Sequence, residues 1–142
     1  MILLDVNILV YAHREDAERH VEFKNWLESA MTAPGGVAVS DLVLSGCVRV
    51  ITHPKVFKDP TPLDKALEFI EDFRFRDEVK LLAPGPGHWS IFTNLCRRAE
   101  AKGNLVPDAY HAALAIELGC EWITADRGFS RFRGLKWRHP LD

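Results

Sequence analysis

The stretch ILLDVNILVYAH, residues 2–13, decides how this chain is read. Ile2, Leu3 and Leu4 look like a short buried strand, and Ile8, Leu9 and Val10 continue the apolar character beyond it. Between the two runs lie Asp5 and Asn7. A carboxylate set into apolar surroundings without a partner is expensive to desolvate. Asp5 therefore needs a physical reason for its place.

Working outward, the other strand candidates are Val37–Val39, Val79–Leu82, Trp122–Thr124 and Leu135–Trp137. Segments of helical period separate them. Glu18–Met31 stops before Pro34, Leu42–Ile51 follows the N-cap type Ser40, and Pro62 opens a helix through Phe75. Trp89–Lys102 ends at Gly103-Asn104, and a last helix runs from Pro107 to Gly119. Short apolar strands alternating with helices predict an α/β fold, a three-layer α/β/α sandwich around a central, mostly parallel sheet. With 142 residues and no linker-like or repetitive segment, one domain over 1–142 is expected.

Acids follow the strand candidates. Asp5 comes directly after the first, Ser40-Asp41 after the second, and Asp126 two residues after the fourth. Asp108 lies in the first turn of the helix that begins at Pro107. In a parallel sheet the strand carboxyl ends share one edge, where ligands bind and helix N-termini point. Taken singly, each acid is explained as a helix cap or a dipole partner. Taken together, Asp5, Asp108 and Asp126, with Asp41 a fourth candidate, would repel one another and raise their own pKa values unless a cation joined them. An all-oxygen set without His or Cys points to Mg²⁺ or Mn²⁺ rather than zinc. Such an ion neutralises phosphate charge and makes a bound water more acidic, so phosphodiester hydrolysis is the natural reaction class.

Charge and cysteine usage narrow the setting. Net charge is only −2, but Arg127, Arg131, Arg133, Lys136 and Arg138 crowd the C-terminal stretch without an acid from Arg127 to Leu141. Arg127 and Arg131 are the candidate contacts to a polynucleotide backbone. Three scattered cysteines without a C-x-x-C pair fit a reducing compartment. With no leader-like start and no apolar run of about 18 residues, a soluble cytoplasmic protein without membrane contact is expected.

The same residues carry a resemblance. LLDVNILVYA at residues 3–12, GNLVPDAYHAALAIELG at 103–119 and ITADRGFSRFRGLKWRHP at 123–140 resemble PIN-domain ribonucleases, and within them the VapC toxins of type II toxin–antitoxin systems. VLSGCVRVITHPKVF in the middle extends the similarity along the whole chain. The resemblance implies a Mg²⁺-dependent endoribonuclease cutting tRNA or ribosomal RNA, held in check by a VapB-type antitoxin and assembling as a homodimer. It places Asp5 and Asp108 at metal-binding positions and Asp126 at the later acid. Thr124 and Asn7 fall at supporting polar positions.

One position departs from the pattern: Gly46 stands where such domains usually carry a glutamate. Asp41, five residues earlier, is about 140° away around a helix and is no simple substitute. Two other readings stay open at this level. One is a phosphohydrolase with Asp5 as nucleophile, although DVN lacks the second acid two residues on. The other is a non-catalytic PIN-fold module that binds RNA or protein. Among the remaining residues, His111 is read as a partly exposed supporting group, Cys47 as a buried apolar residue, and the four tryptophans as core or interface.

Overall fold

A computed structural model of the chain describes residues 1–142. Five short strands, β1 (Ile2–Leu4), β2 (Val37–Val39), β3 (Val79–Leu81), β4 (Glu121–Ile123) and β5 (Trp137–Arg138), form one sheet in the order β3-β2-β1-β4-β5. Every pairing is parallel, with Leu3 opposite both Ala38 and Trp122. The sandwich expected from the sequence is therefore present, and its sheet is wholly parallel.

Six helices connect the strands: α1 (Val6–His13), α2 (His20–Thr32), α3 (Asp41–Ile51), α4 (Leu63–Arg74), α5 (His88–Ala99) and α6 (Leu105–Leu118). The chain steps outward from β1 to β2 to β3, then crosses back to β4 on the far side of β1. With right-handed crossovers, this reversal lays α1–α4 on one face and α5–α6 on the other. Thirty buried residues make one contiguous core, from Leu3, Leu4 and Val37–Val39 of the sheet to Phe23, Val43, Ile51 and Leu114 of the helices.

Local chemistry explains most boundaries. Ser40 caps α3 by accepting from the Val43 N–H at 3.1 Å, and Val43, Leu44, Cys47 and Ile51 then fall on its buried face. Gly119, at φ +67°, ends α6 in the left-handed conformation that glycine adopts without steric cost. Ala109, Ala112, Ala113 and Ala115 are fully buried, which lets α6 lie close to its neighbours.

Two helix boundaries differ from expectation, and one stretch without a predicted element becomes a helix. Val6–His13, whose apolar run carried no assigned element, is a helix, because Asp5 caps it immediately after β1. Helix α5 stops at Ala99, with Glu100 at φ 50° as its cap, ahead of Gly103-Asn104. Helix α6 begins at Leu105, so Pro107 sits within the first turn, where its missing N–H is no loss.

Candidate functional site

Strand order reverses between β1 and β4, and in open parallel sheets the crevice outside the strand carboxyl ends at such a point is where ligands sit. A cleft of about 500 Å³ opens there. Asp5, Asn7, Asp108, His111 and Asp126 line it, with Arg49 and Glu18 on its outer walls. A larger concavity, about 660 Å³, lies at the amino ends of β1 and β2 near Met1, Trp26 and Gly36. It holds no carboxylate, so volume alone does not locate the chemistry.

Asp5 answers the question raised by its sequence context. Its backbone N–H continues the sheet by donating to the Ile123 carbonyl at 3.0 Å. Its side chain, only 6% exposed, then begins α1. Oδ1 accepts from the Val6 N–H at 2.6 Å, and Oδ2 accepts from the Thr124 hydroxyl at 2.6 Å and from Asn7 Nδ2 at 3.2 Å. Burial nevertheless outweighs these donors and, with repulsion from Asp108 and Asp126, pushes the carboxyl up to about 6.

Thr124 and Asn7 stitch the site together. The Thr124 hydroxyl, fully buried, also accepts from the Asp126 N–H at 3.0 Å and from Asn7 Nδ2 at 3.2 Å. Asn7 Oδ1 accepts from the Ala125 N–H at 3.0 Å. The start of α1 is thereby fixed to the end of β4, with both side chains hydrogen-bonded to Asp5. Asp126 caps a short 3-10 helix, Arg127–Arg131, with Oδ1 accepting from the Gly128 N–H at 2.8 Å.

Asp108 differs from the other two acids. It is half-buried on α6 and receives no hydrogen bond from the protein; burial, then repulsion from Asp126, raises its pKa, while Arg131 lowers it. His111, one turn later, is buried rather than partly exposed. It stacks on Trp122 with centroids 5.4 Å apart, and burial, then the nearby His88, depresses its pKa to about 4.

Three sequence candidates do not line this cleft. Asp41 lies outside the cleft and pairs with Arg74 at 3.0 Å, because it begins α3 one strand further along the sheet edge. Arg127 is held by Asp142 through two hydrogen bonds of 2.9 and 2.8 Å and does not line the cleft. Arg131 does not line the cleft either, although its charge lowers the Asp108 pKa. Of the tryptophans, Trp122 is core, whereas Trp89 is 66% exposed. Cys47 is fully buried, which pushes its thiol up to about 12.

Gly46 has a local explanation. A Cβ there would come within 2.9 Å of Val6 Cγ2, so the glycine allows α3 to pass close to α1. Arg49 and Val50 are three and four residues on, along the same helix face, and both line the cleft. Where an acid was expected from this face, Arg49 presents a cation one turn later. That spacing was readable once Gly46 was placed. Glu18, in the loop before α2, carried no such signal.

The donor set suits a hard cation. It is all oxygen, Asp5 and Asp108 are both disfavoured as bare anions, and Asp108 has no donor of its own. No three Asp, Glu, His or Cys side chains stand together as a complete ligand set. Zinc sites need three or four protein ligands. Magnesium is commonly held by one or two carboxylates, its remaining positions going to water and substrate phosphate. Asp5 and Asp108 fit the second pattern.

Comparison with known proteins finds relatives along the whole chain. Residues 2–135 match the PIN domain family. The chain is 41% identical over 142 residues to VapC ribonuclease Mb2897 of Mycobacterium bovis, covering all of this chain and 97% of that one. It is 34% identical over 140 residues to ribonuclease VapC25 of Mycobacterium tuberculosis, covering 99% of each. Among solved structures, VapBC2 from Rickettsia felis, crystallised on a DNA fragment from its promoter, superposes with a TM-score of 0.73 at 20% identity, covering 97% of this chain and 98% of that one.

Proposed function

This chain belongs to the PIN-domain family, in its VapC ribonuclease branch, and from that premise we propose that it is a Mg²⁺-dependent endoribonuclease, the toxin of a VapBC-type pair. The observation that carries the reading is the meeting of Asp5, Asp108 and Asp126 in one cleft at the sheet's reversal point, with Asp108 lacking any protein hydrogen-bond donor. The substrate is a structured RNA, tRNA or ribosomal RNA. A VapB-type antitoxin and a second copy of the chain are its protein partners. Manganese is the alternative ion.

Asp5 and Asp108 would hold the metal, which when bound supplies charge neutralisation at the phosphate and a more acidic water. Asp126 keeps one carboxylate oxygen on the Gly128 N–H, leaving the other to orient the attacking water in line with the leaving oxygen. Thr124 and Asn7 hold Asp5 in position and touch no reacting atom. His111, buried and with its pKa depressed, stays neutral at pH 7 and adds no charge to the cleft. The reaction is hydrolysis: water adds at phosphorus, the P–O bond to the leaving ribose breaks, and no covalent enzyme intermediate forms.

Purified protein incubated with total cellular RNA, with and without EDTA, followed by mapping of the cut ends, tests this. Fragments are expected only with Mg²⁺ or Mn²⁺. Asp5→Asn and Asp108→Asn should abolish them while far-UV circular dichroism stays unchanged. Full activity in either variant, or in EDTA, refutes the reading. Metal-independent RNA binding without cleavage would instead favour a non-catalytic module, the alternative that Gly46 keeps open.

A further inference from the structure

Beyond the Asp108 rim lies a second depression of about 440 Å³ that the carboxylates do not enter. Leu95, Ala99 and Phe132 form its apolar part, and Arg98, Arg131 and Arg133 surround it. The three arginines come from two segments far apart in sequence, the last turn of α5 and the end of the short 3-10 helix with the residues after it. None of the three has a carboxylate within ion-pair distance. Two other cations of the C-terminal stretch do: Arg127 is paired with Asp142 and Arg138 with Glu121.

Arg98 alone would be ordinary, since a cation in the last turn of a helix complements the dipole. Arg131 closes the short 3-10 helix in the same way, but Arg133 lies beyond any helix end, and nothing in either helix requires the three to converge. Arg131 is also oriented, its Nε donating to the Gly128 carbonyl at 2.9 Å, which leaves its terminal amino groups uncommitted. Its charge reaches Asp108 on one side and the depression on the other. Three like charges gathered with no carboxylate at ion-pair distance call for an anion from outside. Guanidinium forks beside an apolar surface suit a phosphate with its sugar or base.

We propose that the Arg98–Arg131–Arg133 depression is a subsite for the RNA backbone, holding phosphates of the strand that leads away from the carboxylate cleft. The inference rests on the ribonuclease reading for the identity of the strand. Its ligand is the polynucleotide backbone, not an acidic segment of a protein.

The test measures binding in EDTA, so that it does not depend on catalysis. Affinity of the full chain for a labelled single-stranded oligoribonucleotide is followed between about 50 and 200 mM salt. The double variant Arg98→Gln/Arg133→Gln removes charge without burying anything, and Lys24→Gln/Lys65→Gln, on exposed faces of α2 and α4, is its charge-matched control. The pocket variant should bind several-fold more weakly, and its salt slope should shrink by about 0.7 for each phosphate no longer neutralised, about 1.4 for the pair. The control should keep the wild-type slope.

A wild-type slope in the pocket variant overturns the proposal, and so does an equal loss in both variants, which would mark diffuse charge. Loss of polyglutamate binding with RNA binding retained overturns it in favour of an acidic protein segment. No RNA binding by the wild type sinks the subsite and the ribonuclease reading together. Wild-type cleavage with an unaffected pocket variant removes only the subsite. Binding that depends on the two arginines without any cleavage removes only the ribonuclease reading.

Discussion

Asp5 and His111 line the same cleft and strain the fold in opposite directions as pH changes. The Asp5 carboxyl, at 3.8 when unperturbed, is raised to about 6 in the folded chain. The folded state therefore holds that proton more tightly than the unfolded state. Its contribution is fully present below pH 3.8 and is lost as pH rises to about 6. His111 moves from 6.5 to about 4. Its folded form sheds the proton more readily, so its contribution is present above pH 6.5 and is lost as pH falls to about 4. Each shift spans two units or somewhat more, worth roughly 3 kcal/mol at ~1.4 kcal/mol per unit. Both groups are largely buried, so solvent screening does little to reduce these values.

Over the shared window the two contributions oppose and nearly cancel, and the wild type should look almost flat with respect to them. Substitution of either one unmasks the other. In Asp5→Asn an amide replaces an oxygen that accepts from Thr124 and Asn7, which adds a pH-independent offset of about 1–3 kcal/mol but no slope. Urea unfolding in EDTA at half-unit intervals of pH measures the effect. The difference between Asp5→Asn and wild type should rise by roughly 3 kcal/mol between about pH 4 and 6 and then level. For His111→Phe, which keeps an aromatic ring against Trp122, the difference should fall by a similar amount between about pH 4 and 6.5. Groups that do not feel the substituted residue cancel in these differences. Flat difference curves would refute the claim that burial at the sheet edge strains either group.

Further outcomes follow from the same geometry. Thr124→Val keeps shape but removes the hydroxyl that donates to Asp5 and accepts from the Asp126 N–H, so stability should fall by about 1–3 kcal/mol in denaturant unfolding. Because that hydroxyl favours the ionised carboxylate, the acid limb of the cleavage profile should also move to higher pH; an unmoved limb would separate Asp5 from the observed titration. Gly46→Glu forces a Cβ against Val6 and should cost about 1–3 kcal/mol, read as a lowered Tm. Arg127→Gln should leave RNA affinity and its salt slope unchanged, since that guanidinium is already committed to Asp142. Asp41→Asn should leave cleavage unchanged, since Asp41 lies outside the cleft.

Periodicity and turn chemistry, which are local, were enough to read the chain alone as a parallel α/β sandwich with acids after its strands. Ser40 and Gly119 acted as cap and terminator as their types dictate. The stretch Val6–His13 was opaque because apolar runs have no visible period when both sides of a helix are covered; only the Asp5 cap marks its start. Which acids share a cleft was not local information. Asp5 and Asp126 meet because β1 and β4 are neighbours at the sheet's reversal point, while Asp41, at the end of the adjacent β2, turns instead to Arg74. The basic C-terminal stretch was visible as charge, but its division was not: Arg127 is bound to Asp142, and Arg131 and Arg133 join Arg98 from another helix. A sequence gives each residue its chemistry. Only the packed sheet, by fixing which strand ends lie side by side, decides which of those residues feel one another's charge.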